Sequence, residues 1–487
     1  MSGTYPGRIY GLLAHAAHER PGGVALRWAG GQWTYGDLLG AVDARRRDLA
    51  ADVRPGDVVA VEAADTLDFI VSYWAVLACD AVVVAVGHAP DVAGANVAVR
   101  GGRAERRGPA PRWVGEVPER PALVLLTAGT TGRPKAIVHS HTGLAWALWN
   151  TASIADRVLG TPAPLPATTG ALDADLRSRV TAREPMAFYT GMPWDTMSGI
   201  TVLHRALLLG DTLVAHAGMF DLQDLGRLAA AGPVNNLALA PFMARALVRQ
   251  VRHAQARIDG LLHVGLGGAH VPADLAVEAE QRLGCLVTIG YGSTETGGAV
   301  AMGDPLAPMD VRAATVGRPL ASVEVRLDPG PDDPGPGRLR CRTPSAMLGL
   351  VDGGHVHAAP EWLDTGDLAT QDPDGNLRLH GRADHTILRG ARRVDPALIE
   401  SALETHDAVE RAAVTGVPSR VAGEQDVVAL VVARVPTPAA DLRRHVRREL
   451  GPPLTPQRVM FVDALPLTPD GAVRRHLLGE LAAPRTG

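Results

Sequence analysis

The sequence predicts an α/β protein: a large N-terminal domain of several α/β subdomains over residues 1–381 and a small α+β domain over residues 382–487. Three observations lead there. At 487 residues and 46% hydrophobic, the chain can bury more than one core, so more than one domain is expected. Through most of its length short apolar runs alternate with amphipathic stretches, the rhythm of strands and crossover helices in a parallel sheet. After Gly381 that rhythm gives way to a compact mixture of helix and strand, which sets the boundary at Arg382–Asp384.

The elements follow in order. Val53 to Val86 (RPGDVVAVEA, then FIVSYWAVLACDAVVVAV) reads as strand, helix, strand. Ala122–Thr127 (ALVLLT) and Ala136–His139 (AIVH) are two short strands, with a glycine-rich loop between them. The runs TLVAHA, DLQDLGRLAAAG, NNLALA, PFMARALVRQVRHAQAR and LLHVGLGG continue the α/β alternation. Each strand ends where glycine or a polar cluster begins, the position of ligand loops in open sheets. DPGPDDPGPG (Asp328 to Gly337) is a polar turn region, and DPDG (Asp372 to Gly375) a hairpin turn between LATQ and NLRLHG. In the small domain Pro396–Thr405 and Ala440–Leu450 read as helices, and VERAAVTGV, DVVALVVARV and RVMFV as strands.

Composition narrows the partners. A net charge of -4 shows no basic surplus that would suit nucleic acid or an anionic membrane, so a small-molecule partner is expected. Cys79, Cys285 and Cys341 are far apart and have no CxxC or Cys/His spacing, which argues against a zinc site or a disulfide framework. No stretch approaches the length of a membrane span, and the N-terminus lacks a long apolar core. A cytoplasmic enzyme is the expectation.

Lys135, in TAGTTGRPKA, is the only lysine in a chain whose Lys+Arg count is 48. Ammonium is a compact point charge and guanidinium a planar fork, so a retained lysine suggests a site that rejects the fork. Glycines that turn backbone N–H groups outward, threonine hydroxyls and one ammonium together suit a polyphosphate. The loop is not a Walker A motif, because Pro134 separates Gly132 and Arg133 from Lys135; alone it also reads as an ordinary Gly/Thr loop. GYGSTETGG (Gly290 to Gly298), at the end of the strand CLVTIG, offers an aromatic ring, hydroxyls and Glu295, a carboxylate suited to magnesium. WLDTGDLA (Trp362 to Ala369) carries Asp364 and Asp367, and a strand-end carboxylate can bind ribose hydroxyls. GRADHTILRGARRVDP opens the small domain with Arg382. Each alone also reads as a turn acid or a surface arginine.

In this order, over nearly the whole chain, these stretches resemble the adenylate-forming superfamily of acyl- and aryl-CoA synthetases, nonribosomal peptide synthetase adenylation domains and beetle luciferases. Its signature runs [ST]-[SG]-G-[ST]-T-G-x-P-K-G, YGxTE, TGD, GRxD and PxTxxGKxxR. The resemblance implies that ATP, with Mg2+, and a carboxylic acid give an acyl-adenylate and pyrophosphate. An acceptor (CoA as co-substrate, a carrier-protein thiol or an amine) then displaces AMP, and a mobile small domain rotates between the steps.

Carried over by position, Thr127, Thr130, Thr131 and Lys135 hold phosphates. Gly267, Gly268 and Ala269 line the adenine pocket, with Tyr291 against the base and Gly292 beside it. Thr294 touches the α-phosphate, Glu295 the metal and Asp367 the ribose; Arg382 lies near the nucleotide and Asp384 at the hinge. Lys135, Thr294, Glu295 and Arg382 make up the implied catalytic set. The implied substrate pocket comprises Trp194, Asp195, Ser198, Ala240 and Gly297.

The chain also departs from the pattern. In LPLTPDGAVRRHLL, Ala472 follows Gly471 where the family has a lysine that bridges carboxylate and phosphate during adenylation. Losing such a contact typically costs about two to four orders of magnitude in rate; Arg474 or Arg475 is placed to compensate in part. Ala391 stands where the family has glycine beside the pantetheine tunnel, with Gly390 displaced by one, and Ala128 and Ala136 replace a serine and the closing glycine of the phosphate loop. In MPWDTMSG, Trp194-Asp195 resembles the Phe-Asp of amino-acid-activating domains, where a buried carboxylate favours a substrate amine. Asp195 reads equally as a cap of the following helix.

The leading expectation is therefore activation of a small acid, aromatic or amino-bearing. Two alternatives stand beside it: an ATP-dependent diazotase that activates nitrite towards an aryl amine, and a nucleotide-binding homologue with weak or no adenylation.

Overall fold

A computed structural model of the chain describes residues 8–87, 94–127, 135–158, 165–180, 184–216, 220–252, 258–330, 333–389, 392–419, 425–467 and 473–482. The predicted strand–helix–strand is present. Val58–Glu62 (β1) and Val82–Val86 (β2) pair in parallel, from Val58 opposite Val82 to Glu62 opposite Val86. Between them runs Thr66–Ala78 (α1), apolar and buried on nearly every face, as a helix packed on both sides must be. Asp65 caps α1 by accepting a 2.8 Å bond from the Asp68 amide.

Pro121–Thr127 (β3) lies parallel to β2. It then turns back as Lys135–Ser140 (β4), antiparallel, with Thr127 opposite Lys135. The lone lysine thus opens a hairpin strand hung on a sheet of parallel centre. The outer neighbour of β4 is Gly349–Asp352 in this eight-stranded sheet.

A second sheet of nine strands holds the remaining α/β units. Ala187–Thr190 (β5) leads to the helix Met197–Leu208 (α2), and Asn236–Leu239 (β6) to the helix Pro241–Arg252 (α3). His263–Leu266 (β7) and Leu286–Ser293 (β8) complete a parallel run in the order β5-β6-β7-β8. Parallel strands put their carboxyl ends on one edge, so the segments beginning at Gly191, Ala240 and Gly267 emerge side by side. GYGSTETGG does more than end a strand: β8 runs to Ser293 and returns as Gly298–Met302 (β9), antiparallel.

Leu363–Gln371 (β10) and Leu377–Arg382 (β11) form one side of a four-stranded antiparallel sheet. The DPDG turn joins them as expected: Gly375 has φ +87° and the Asp372 carboxylate accepts from the Asn376 amide at 2.8 Å. The proline-rich stretch at 328–337 differs from a plain turn, since strands Glu324–Gly330 and Asp333–Arg342 run into it from both sides.

Beyond Asp384 the chain builds a separate core. Pro396–Glu404 (α4) starts at the Asp395 cap with proline in its first turn. Val409–Pro418 (β12) and Gln425–Ala433 (β13) pair antiparallel, followed by Ala439–Leu450 (α5) and Arg458–Phe461 (β14), the latter parallel to β13. Ile399, Leu403, Val409, Val427, Leu442 and Val446 are buried together. This unit touches α3: Arg245 lies 3.9 Å from Glu404, and the Arg411 guanidinium sits 5.1 Å over the Phe242 ring. Among the described residues no helix is long and apolar enough to cross a membrane.

Arg475 is committed to this core. It pairs with Glu400 at 2.7 Å and donates to the Val414 carbonyl at 3.2 Å. Arg475→Ala is expected to lower stability by about 1–2 kcal/mol in urea denaturation, the scale of one charge-assisted contact that is only partly shielded from water. A variant with the wild-type midpoint would show the pair to be idle.

Candidate active site

The turn between β8 and β9 carries Thr294 and Glu295, and its shape is set by local bonds. The Thr296 hydroxyl accepts from the Ser293 amide at 2.9 Å and donates to the Gly298 carbonyl at 2.7 Å, while the Gly297 amide reaches the Thr294 carbonyl at 3.1 Å. Gly297 has φ +72°, and a Cβ there would stand 2.0 Å from the Ser345 carbonyl oxygen. The Met347 amide bonds the Glu295 carbonyl at 2.9 Å and the Leu348 amide bonds that of Val138 at 2.7 Å. Residues 345–348 therefore stitch the turn to β4, the strand that begins at Lys135.

Lys135 is exposed and Glu295 half-buried, and among the described residues neither side chain has a hydrogen-bond or ion-pair partner. An unpaired ammonium and an unpaired carboxylate on elements stitched together fit a polyphosphate and its cation. Thr127 faces Lys135 across the hairpin. Thr130 and Thr131 lie outside the described residues, as do Ala128, Gly390, Ala391, Gly471 and Ala472.

On the other flank three distant motifs meet. The Tyr291 hydroxyl donates to Asp367 Oδ2 at 2.6 Å, Arg382 lies 3.9 Å from Asp367 Oδ1, and Arg382 Nε donates to Asp384 at 3.1 Å. Burial pushes the Asp367 carboxyl above its ordinary value, against the Tyr291 hydrogen bond and the Arg382 charge, which pull it down. Asp367 sits within β10, not at its end; a register shift after it and Gly366 at φ +77° turn the strand there. The Arg382 guanidinium packs over Gly366, 2.5 Å from where a Cβ would be, and a side chain at that positive φ would displace it. Asp364 points elsewhere and pairs with Arg338 at 2.8 Å.

The implied acid and adenine positions converge at the strand ends. A Cβ on Gly267 would be 3.1 Å from the Gly290 carbonyl oxygen, and one on Gly268 3.2 Å from Met192 Cε. Gly268 and Ala269 are exposed, as is Gly292. Trp194 is 1% exposed, donates to the Thr66 hydroxyl at 3.0 Å and stacks on His216 at 4.9 Å, so it offers structure and no open face. Asp195 is half-buried, its Oδ2 2.9 Å from where a Cβ on Gly87 would lie. The capping alternative for Asp195 is corrected: Thr196 caps α2, accepting from the Gly199 amide at 3.2 Å.

Ser198 is half-buried on α2, and Ala240 is buried at the head of α3. Gly297 packs on Ser345; it is Gly298 that faces α2, its Cβ position 3.3 Å from the Thr201 hydroxyl. Met192 beside Gly268, and Met197 and Thr201 beside Gly298, lie at the same strand ends; MPWDTMSG and GYGSTETGG contain Met192, Met197 and Gly298, whereas Thr201 lies outside both motifs. Of the two arginines considered in place of the missing lysine, Arg475 is occupied as described, and Arg474 is exposed without a side-chain partner among the described residues.

Glycines packed at the strand ends, with an unpaired lysine and carboxylate on elements stitched together, suit a nucleotide-dependent α/β enzyme. A family model described as AMP-binding enzyme matches residues 95–351, and one described as AMP-binding enzyme C-terminal domain matches residues 398–472. The chain belongs to this family, the adenylate-forming superfamily of acid ligases. It is 29% identical to a feruloyl-CoA synthase from an Amycolatopsis species, over 97% of each chain. Its fold is that of an anthranilate CoA ligase solved with anthranoyl-AMP, at a TM-score of 0.79 and 20% identity over 99% of this chain and 98% of the other. The o-succinylbenzoate CoA synthetase of Bacillus subtilis, solved with ATP and magnesium, shares it at a TM-score of 0.76 and 20% identity, over 96% and 98%.

Gly297→Ala should disrupt the turn, since the left-handed backbone alone costs an L-residue about 1–2 kcal/mol and the Ser345 carbonyl blocks the methyl group. The expected result is a lowered melting midpoint together with loss of nucleotide binding by calorimetry; an unaltered variant would mean that the turn relaxes freely.

Proposed function

We propose that this protein uses ATP and magnesium to activate a small carboxylic acid, aromatic or amino-bearing, as an acyl-adenylate, and passes the acyl group to an acceptor thiol or amine, CoA foremost. The observation that carries the reading is the meeting of Tyr291, Asp367 and Arg382 in one chain of contacts. Under this reading the acid's carboxylate oxygen attacks the α-phosphorus and pyrophosphate leaves. Lys135 and the threonines of its loop neutralise the charge that grows on the leaving group. Thr294 holds the α-phosphate, and Glu295 would hold the magnesium, which supplies charge neutralisation when bound. Asp367 and Arg382 hold the ribose side, with the base between Tyr291 and the Gly267–Ala269 segment. The small domain turns about Asp384 between the half-reactions.

Ser198, Ala240, Met192 and Gly298 bound the acid. Asp195, half-buried beside Gly87, favours an acid that carries an amine. The feruloyl-CoA and anthranilate relatives support an aromatic ring, and the nitrite and aryl-amine alternative finds no support in them.

The test is pyrophosphate release with a panel of benzoates, cinnamates and amino acids; silence across the panel would count against the reading. Lys135→Arg is expected to lower that rate by about 100-fold or more, because the fork cannot occupy a point-charge site. Asp195→Asn is expected to reduce the kcat/KM preference for amino-bearing over plain acids by about tenfold, and an unchanged preference would remove Asp195 from recognition.

Ala472 and the engagement of Arg475 favour slow adenylation as a second reading. Ala472→Lys should then raise pyrophosphate release by about two to four orders of magnitude. No gain would mean that the chemistry makes no use of that position.

A further inference from the structure

We propose that the Tyr291 hydroxyl is a positioning group for Asp367, dictating which carboxylate oxygen is left to receive the ribose hydroxyls of a bound nucleotide. This deepens the nucleotide-site reading above and rests on it. Tyr291 comes from β8 and Asp367 from β10, 76 residues apart, yet the hydroxyl donates to Oδ2 at 2.6 Å. That distance is typical of a strong O–H to carboxylate bond. Oδ1 lies 3.9 Å from Arg382 NH1, beyond hydrogen-bonding range. One oxygen is occupied, and the other accepts no hydrogen bond among the described residues.

Arg382 is restrained as well: Nε binds Asp384 Oδ1 at 3.1 Å, and NH1 leans on the Thr365 carbonyl at 3.4 Å. A carboxylate and a guanidinium this close tend to close into a two-pronged pair that uses both oxygens. The tyrosine opposes that closure by holding Oδ2 in its own hydrogen bond. Burial, which works against the charged carboxyl, makes the hydroxyl's donation more valuable. The ring of Tyr291 and its hydroxyl thus have separable jobs, the ring as a face for the base and the hydroxyl as an orienter of Asp367.

The experiment is calorimetric titration of the full chain with AMP, 2′-deoxy-AMP and 3′-deoxy-AMP, comparing wild type with Tyr291→Phe. A site built to bond a hydroxyl rejects the analogue lacking it, so wild type should prefer AMP over at least one deoxy analogue by about tenfold or more. Tyr291→Phe should lose about tenfold in AMP affinity while binding that analogue as before, so that discrimination falls below about threefold. Asp367→Asn should lose the same discrimination, and the double variant should lose no more, the signature of two groups acting as one.

Equal weakening towards all three nucleotides would assign Tyr291 a stacking or structural role only and overturn the proposal, as would unchanged affinities. A wild-type chain that binds AMP but releases no pyrophosphate with any acid would sink the acid-activation reading and leave this test standing. A wild-type chain that binds no AMP would sink both.

Discussion

The site depends on one close approach, that of the Thr294–Gly297 turn to the backbone at 345–348. Two amides of that segment, Met347 and Leu348, bond the turn on one side and β4 on the other. Glu295 and Lys135 belong to elements of different sheets, and the stitch joins those elements beside the core that Ile137 and Val300 share. The approach is possible because residue 297 lacks a side chain; Ser345 fills the space. The strap's hydroxyls support it, with Ser345 donating to the Thr296 carbonyl at 2.8 Å. The turn is thus held by neutral hydrogen bonds, which leave the Glu295 carboxylate without a partner among the described residues.

The flanks divide the labour differently. At the lysine hairpin Lys135 is exposed and without a partner among the described residues, suited to a ligand that brings its own cation. At β10 and β11 opposite charges lie close together, Arg382 hydrogen-bonded to Asp384 and 3.9 Å from Asp367. Arg382 is bonded to the implied hinge residue and stands 3.9 Å from the implied ribose carboxylate, so one guanidinium lies between the two. The small domain's separate core and its light contacts with α3 fit a unit that shifts as a body.

Much of this was legible in the sequence, because strands, turns and motif order are local properties. The β1–α1–β2 unit, the DPDG hairpin and the helices at α4 and α5 sit where periodicity and turn chemistry put them. What escaped were facts fixed by distant partners. That Thr196 and not Asp195 caps α2 depends on where the strand delivers the chain. That Gly298 faces α2 while Gly297 faces Ser345 depends on a segment some 50 residues away. Arg475 looked available from spacing alone, and only the fold places Glu400 beside it. The place of Asp367 inside a strand followed the same logic: the acidic motif was visible, the bulge that aims it was not.

Lys135, exposed and without a described partner, is also the chain's single side-chain amine. Acylating or reductively alkylating reagents that ignore guanidinium therefore have one internal target, and it lies beside the phosphate-loop motif. Ordinary amine chemistry, unselective on most proteins, becomes a site-directed tool on this one: a single covalent tag would report occupancy of that loop without any engineered handle.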